Sequence, residues 1–416
     1  MSKDKIGQIR FLPIILGTDA NAYGMARAIH QEYGISSICL GKAPLSFTSN
    51  SRIVTRILDE RMGEDEVLIA HLEKLAAAYP KLPKIIIPCG DGYSAQLSRN
   101  REYLAEKFLF NIVPESLQQR LEDKIAFYRT CEEYGLPYPA TTVITQADVA
   151  GGSVHVPFDY PIALKANDSI EYVGLHFEGK KKAYIISDQD ELDRVLSSVY
   201  AAGYTGVMVA QDFIPGDCSE MVVLNAYVGR DHKVRMMAMG QCVLDAVLPA
   251  EIGNYHALYT ADGSAIYQRY RAFLEAVGYS GFANFDLKRD PRDGEYKVFE
   301  INLRQGRSSF HMELGECHYL KFLIEDLLKD SAVENTASAG KEPYFHTTEG
   351  KLWLYVDPWV VRKYVPKSIK HKALQALARG HGYTWWYSKD RSFRRWVWHM
   401  RMRISSIKSY MKYASK

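Results

Sequence analysis

The chain has 416 residues, 47% of them apolar and 24% charged, enough for two or three domains with real cores and unlike a disordered or fibrous protein. Its six cysteines (Cys39, Cys89, Cys131, Cys218, Cys242 and Cys317) are scattered, with no C-x-x-C pair and no histidine cluster, which argues against a zinc module or a disulfide framework. The net charge of +3 is unevenly spread: from Trp359 onward 15 Lys and Arg face the single acid Asp390, while the rest of the chain carries 37 against 48 acids.

Lys3 and Lys5 precede Phe11–Leu16, but that apolar run is too short for a signal-peptide core and leads into a polar turn. No stretch approaches the length of a membrane span, so a cytoplasmic protein is expected. Phe11–Leu16 (FLPIIL) predicts a strand, followed by a glycine-bounded turn at 17–24 and a helical pattern. Ile35–Leu40 and Lys84–Pro88 (KIIIP) predict further strands, with a helix at 64–79 ahead of the latter. Cys89-Gly-Asp-Gly-Tyr93 follows KIIIP, at the carboxyl end of its strand, where open sheets place their ligand crevice. Residues 1–118 therefore read as a Rossmann-like doubly wound α/β unit. The G-x-G-x-x-G fingerprint is missing, which disfavours a nicotinamide cofactor.

A helix bearing Lys124 leads to Leu-Pro-Tyr-Pro at 136–139, a rigid connector. Pro161–Lys165 predicts a buried strand closed by a lysine, 166–182 a polar loop, and Ala183–Ile186 and Val207–Gln211 further strands. Gln211–Asp217 is a strand-to-turn linker. Strands at 221–228 and 233–239 and a helix at 266–277 follow, and 334–350, rich in Ser, Thr, Gly and Ala, is a linker.

The segment Phe282–Ser309 (FANFDLKRDPRDGEYKVFEINLRQGRSS) carries the chemistry. Asp-Pro-Arg-Asp-Gly at 290–294 predicts a turn that folds two short runs back on each other. Residues two apart in a strand share a face, so Glu300, Asn302 and Arg304 project together with Asp286 opposite Glu300, while Phe299 and Ile301 point into a core. Two carboxylates, an amide oxygen and a guanidinium make an oxygen-ligand site for Mg²⁺, and such a site implies a nucleotide phosphate chain. A solvated hairpin face is the alternative; a strict acid-x-amide-x-Arg row beside an apolar row disfavours it.

Taken in order, Lys124, Lys165, Gln211–Ile214, Asp286 and Glu300-x-Asn302-x-Arg304 resemble the ATP-grasp superfamily of carboxylate–amine ligases, and within it the D-aspartate ligase branch. The stretches LGTDANAYGMAR, CGDGY, QDFIPGDCSEMVVLNAYV, GFANFD, FEINLRQGRSS and KDRSFRRW carry the resemblance. It implies an α/β ATP-grasp architecture: a Rossmann-like pre-ATP-grasp domain at 1–118, an α+β lid subdomain at 119–205, a large α+β subdomain with the Mg–ATP site at 206–333, and a basic C-terminal extension at 351–416. It also implies roles. Lys124 and Lys165 would contact ATP phosphates, Gln211, Phe213 and Ile214 the adenine, and Asp217 (or its rival Glu220) the ribose. Asp286, Glu300 and Asn302 would hold Mg²⁺. Lys165 and Arg304 would serve the transferred phosphoryl group, and Arg307 with Ser308 and Ser309 the α-carboxylate of the amino acid.

The implied reaction activates the side-chain carboxylate of D-aspartate as an acyl phosphate and joins it to the lysine amine of a UDP-linked muropeptide, UDP-MurNAc-pentapeptide. Another amino acid–amine pair and a catalytically idle nucleotide-binding protein are the alternatives. One departure from the family pattern is the loop at 166–182, poor in glycine, where Ser169 and Lys180–Lys182 would replace some phosphate contacts. His311 lies close in sequence, but the general base is not identified. Residues 392–413 (SFRRWVWHMRMRISSIKSYMKY) set Phe393, Trp396, Val397, Met400, Ile404, Ile407 and Met411 on one helical face among cations. Three readings stay open: a helix docked by that stripe, a contact with the inner face of the membrane, or an attractor for a polyanionic substrate. Nucleic acid is not expected, since no recognition motif accompanies the charge.

Overall fold

The computed structural model describes residues 10–248, 251, 253–329 and 342–414, leaving aside the side chains of Ser169 and Ile170. Lys3, Lys5 and linker residues 334–341 lie outside them. The chain forms two compact units, one of Met1–Gln119, Asp217–Asp286 and Ile301–Lys416, the other of Arg120–Gly216 and Leu287–Glu300.

The first unit opens with four parallel strands, β1 (Leu12–Leu16), β2 (Ser37–Gly41), β3 (Val54–Leu58) and β4 (Lys84–Pro88), in the order β3-β2-β1-β4. β1 is buried throughout, as a continuous apolar run covered on both faces should be. Asp19 caps the helix α1 (Ala20–Tyr33) by accepting from Ala22 N at 2.9 Å. Gly17, between β1 and α1, has φ +132° and lies where a Cβ would come within 3.2 Å of Cys89 Cβ, so the turn after β1 and the turn after β4 touch through a glycine. Helix α2 (Asp91–Arg99) starts from that second turn. β3 is a half-exposed edge strand (VTRIL) that the apolar pattern does not announce.

The second unit holds an antiparallel sheet of β5 (Thr141–Ile144), β6 (Ile162–Ala166), β7 (Tyr184–Ile186) and β8 (Met208–Asp212), ordered β5-β8-β6-β7. Helix α3 (Lys124–Glu133) begins at the Asp123 cap, and α4 (Gln189–Ala201) buries Leu192, Leu196, Val199 and Tyr200 in the core shared with Ile162, Leu164 and Ile186. The expected loop at 166–182 contains a short helix, Ser169–Gly174.

The large sheet comprises β9 (Met221–Val228), β10 (Val234–Asp245), β11 (Tyr255–Ala261), β12 (Gly281–Arg289), β13 (Tyr296–Asn302), β14 (Tyr344–Phe345), β15 (Leu352–Leu354) and β16 (His381–Gly382), ordered β13-β12-β9-β10-β11-β15-β16 with β14 on β10. The division between the units falls after Asp286 in β12 and after Glu300 in β13. The turn at 290–294 forms as its residues predict: Gly294 N donates to Asp290 O at 2.7 Å, Asp290 N donates to Glu295 O at 2.8 Å, and Gly294 has φ +80°. Buried Asp290 also accepts from Arg292 and Lys297 at 2.6 Å each, which holds its carboxyl well below the usual carboxylate range. Along β13 the alternation is less clean than expected. Ile301 is buried and Phe299 only half-buried, while Val298 is buried despite sharing the parity of Glu300; its N–H donates to Pro137 O at 2.9 Å in the 136–139 connector.

Helices α5 (Pro358–Tyr364) and α6 (Phe393–Tyr413) close the first unit. Of the readings left open for α6, docking by its apolar stripe is not what the structure shows. Arg395, His399 and Tyr410 are its buried residues, whereas Phe393, Trp396, Ile404 and Met411 are exposed. Among the described residues no helix is long and apolar enough to cross a membrane.

Candidate active site

In the first unit Asp286, Asn302 and Arg304 lie by the two turns at the carboxyl ends of β1 and β4, while Glu300 falls in the second unit. Asp286 on β12 accepts from Tyr255 Oη at 2.7 Å. Asn302 Nδ2 lies 3.4 Å from each of Asn284 O, Asn284 Oδ1 and Asp286 Oδ2, the long limit of a hydrogen bond, while its Oδ1 accepts from Arg304 at 3.2 Å. A half-turn of that amide would offer its oxygen beside the Asp286 carboxylate, so the pair fits a hard cation that takes oxygen ligands. Among the described residues no group of three or more His, Cys, Asp or Glu gathers as a metal cluster, which leaves this mixed carboxylate–amide row as the candidate.

Arg304 is ion-paired to Asp91 on α2, Nε to Oδ1 at 2.7 Å and Nη2 to Oδ2 at 3.0 Å. Burial opposes its charge, and Asp91 more than restores it. Arg307 lies 4.1 Å above the Tyr355 ring and donates to Tyr255 O at 3.1 Å. Burial pushes the Asp19 carboxyl up, against the pull of its Ala22 N bond, Arg304 and Arg307, so two guanidiniums and two acids share this end of the parallel sheet. Ser309 is structural: it donates to Asn225 Oδ1 at 2.6 Å and accepts from Gly306 N at 2.8 Å. His311 is buried between Asn225 and Thr260, and burial presses its imidazole down to about 3, so it stays neutral and sealed. Asp217 caps a short turn through Ser219 N at 2.8 Å and accepts from Ser368 Oγ at 3.0 Å.

In the second unit, Lys165, next to last in β6, sets its Nζ 6.0 Å above the Tyr128 ring. Burial first, then the charge of Lys124, presses its ammonium down to about 8, while Glu300 pulls it up. Lys124, the first residue of α3, donates to Asn167 O at 3.2 Å, and Asn167 Oδ1 is buried without a hydrogen-bond partner among the described residues. Two ammonium groups held within each other's field are what an incoming polyanion relieves. Gln211 is flanked on both sides, by Thr141 on β5 and Ala163 on β6, and its side chain donates to Thr141 Oγ1 at 2.9 Å, so it serves the sheet. Phe213 and Ile214 follow it. Lys288 Nζ, 5.4 Å from the Phe213 ring, donates to Ile214 O at 2.8 Å and Gly216 O at 2.9 Å, fixing the linker. Lys180 spends its ammonium on Val173 O and Leu175 O, closing its own loop.

The structure thus gathers Asp286, Asn302, Arg304 and Arg307 in one unit, and Lys124, Lys165 and Glu300 in the other; Asp217 lies apart, as a cap. Sequence reasoning missed Asp19, Asp91, Tyr255, Tyr355 and Lys288. The first two carried a signal, since each stands in the turn directly after a parallel strand.

No family model matches the chain. A D-aspartate ligase of Enterococcus faecium is 40% identical over 411 residues, covering 97% of this chain and 96% of its own length. The chain belongs to the D-aspartate ligase family. Among solved structures it is similar to an L-amino acid ligase from Bacillus licheniformis, at 15% identity and TM-score 0.54 over 77% of this chain and 75% of that one. It is similar also to an N5-carboxyaminoimidazole synthetase from Staphylococcus aureus complexed with ADP, at 14% identity and TM-score 0.55 over 81% and 79%. This ligase therefore has the ATP-grasp fold, and its family makes it an ATP-dependent, ADP-forming carboxylate–amine ligase.

Proposed function

We propose that this ligase activates the side-chain carboxylate of D-aspartate as an acyl phosphate and joins it to the lysine side-chain amine of UDP-MurNAc-pentapeptide. The observation that carries the reading is the 40% identity to a D-aspartate ligase over nearly the whole of both chains. Both ATP and a UDP-linked precursor are cytoplasmic reactants, which places the reaction there.

A carboxylate does not surrender oxide to an amine, so the oxygen must first become phosphate, a good leaving group. The protein's share of that work is positioning and neutralisation of charge. Lys124 and Lys165 suit phosphate oxygens as point charges. Asp286 and Asn302, with Glu300 two residues earlier on the strand, would hold Mg²⁺, which when bound lends charge neutralisation to the phosphate chain. Arg304 meets the charge that spreads over the transferred group, its orientation fixed by Asp91. Arg307, seated on the Tyr355 ring, matches the α-carboxylate with a planar fork. Phe213 and Ile214, their linker pinned by Lys288, pack the adenine. Asp217, which caps the turn through Ser219 N, or Glu220 beside it would meet the ribose. The incoming amine, with an ordinary pKa of about 10.4, must shed a proton before it attacks.

The test supplies ATP, Mg²⁺ and the muropeptide with D-aspartate, L-aspartate or D-alanine in turn, following ADP release and the mass of the muropeptide. ADP formation and a one-residue mass gain with D-aspartate alone are expected. Equal turnover with another amino acid, or none with this acceptor, overturns the assignment.

A further inference from the structure

Helix α6 is amphipathic in an unusual sense: its buried residues are Arg395, His399 and Tyr410, with Trp398 beside them against Phe47 and Trp385. Arg395, 2% exposed, donates to Phe47 O, Ser49 O and Trp385 O at 3.0 Å each and pairs with buried Asp390 at 3.5 Å. His399 stacks on Trp386 at 4.6 Å, Arg403 meets Asp357 at 2.7 Å, and Tyr410 bonds to His256 at 2.8 Å. These residues recur at spacings of four, four and seven and clamp one face of the helix.

About a third of a turn round from that face, Phe393 (77% exposed), Trp396 (48%), Ile404 (49%) and Met411 (58%) form a second row, with Val397, Met400 and Ile407 partly exposed between them. Arg394, Arg401, Lys408 and Lys412, all exposed, run along its edge. No acid occurs in the helix. Single exposed apolar residues are ordinary, but a continuous stripe along 21 residues, about 31 Å, is not. Beside the helix start, an open cleft of about 380 Å³ is lined by the exposed cations Arg394 and Arg401, by Ser46, Ser49 and Asn50, and by Phe393, Val397 and Trp398, a mixture that suits a phosphate headgroup next to apolar chains.

We propose that this outer face is a docking surface for an anionic lipid bilayer. An aromatic and aliphatic row flanked by cations is the pattern of a helix lying in the headgroup plane, apolar side chains below and guanidiniums among the phosphates. A second copy of the chain is a poorer occupant, because a two-fold contact would set the same four cations against each other. A soluble polyanion would use the cations and leave the apolar row bare. Because the clamp fixes α6 before any membrane is met, the surface is preformed. The proposal is independent of the substrates assigned above.

The test is flotation of the full chain with vesicles of phosphatidylcholine alone and with a quarter phosphatidylglycerol. Binding only to the anionic vesicles, weakened by salt, is expected. The double variants Arg394→Glu with Arg401→Glu, and Phe393→Ser with Trp396→Ser, should each lower the bound-to-free ratio by about tenfold or more. Their melting temperatures should stay at the wild-type value, since all four side chains face outward. Absence of vesicle binding, or binding untouched by both variants, overturns the proposal. So does charge-dependent binding of soluble polyphosphate without vesicle binding. A dimer in sedimentation that dissociates in the Phe393–Trp396 variant would assign the face to a second copy and overturn it too.

Discussion

The β12–β13 hairpin and helix α6 both set a charged row beside an apolar row, yet they bury opposite ones. In the hairpin Phe285, Leu287 and Ile301 go inside, Phe285 against Tyr270 and Phe273, while Asp286 is half-buried beside Tyr255 and Glu300 is exposed. In α6 the docked residues are Arg395, His399, Arg403 and Tyr410, and the apolar row stays out. The partner surface explains the contrast. The hairpin meets other aromatic side chains; α6 meets aromatic rings as well, Phe47, Trp385 and Trp386 among them, but with them the carbonyls of Phe47, Ser49 and Trp385 and the acids Asp390 and Asp357, which require donors when buried. Periodicity tells which residues share a face; the chemistry of the surface opposite tells which face docks.

The hardest blow to this comparison would come from the hairpin's acids, Asp286 and Glu300. If they are the working row, Asp286→Ala and Glu300→Ala should each cut ligase turnover roughly a thousandfold, the several kcal/mol a metal ion lends to phosphoryl transfer, while the melting temperature barely moves. A variant that keeps wild-type turnover would make the row a solvated face. The next largest effect belongs to the polar seat of α6. Arg395→Ala leaves Asp390 buried with its nearest cation gone and should cost about 3 kcal/mol in urea unfolding. A loss below about 1 kcal/mol would mean that the seat is held by the aromatic contacts of His399 and Tyr410 instead.

What the chain reveals before folding follows the same division. β1 and β4 are continuous apolar runs, the 290–294 turn has the residues its geometry demands, and the acid row obeys a period of two; all are local signals. β3 and β5 are short, half-exposed strands with mixed residues, and β11 is a buried run without alternation, so none stands out. The Arg304–Asp91 pair spans 213 residues, and neither partner hints at the other. The adenine contact at Gln211 is implied by the family resemblance alone, and the pairing of Gln211 with strands on both sides is not legible in the sequence. The orientation of α6 was undecidable because its seat is built from backbone oxygens, which have no sequence signature.

A subtler probe concerns His311, neutral inside the core that backs the hairpin. Burial lowers its folded-state pKa from 6.5 to about 3, with the charge of His346 assisting. Between those values the unfolded chain takes up a proton that the folded one refuses, so this stability is complete above pH 6.5 and drains as pH falls toward 3, by about 1.4 kcal/mol per unit. In His311→Gln, denaturant midpoints should fall less steeply over that window than in the wild type. Comparing slopes removes any constant cost of the substitution. Parallel slopes would mean that the imidazole reaches protons without unfolding, and that the core behind Asn225 and Thr260 opens.

The smallest expected effect makes the sharpest contrast with Arg395. Its neighbour Arg394 carries the same charge on the same turn but faces outward, and Trp396 on its other side is about half exposed. In solution Arg394→Ala and Trp396→Ala should each change unfolding free energy by no more than about 0.5 kcal/mol, the usual range for surface positions, against the roughly 3 kcal/mol at position 395. A cost at Trp396 comparable to that at Arg395 would mean that its indole packs against the protein in solution. The outer row would then be a second seat, and the apolar face of α6 would be buried like that of the hairpin. If both costs stay small, the helix has spent its polar face on folding, and its apolar face contributes nothing to the stability of the free protein.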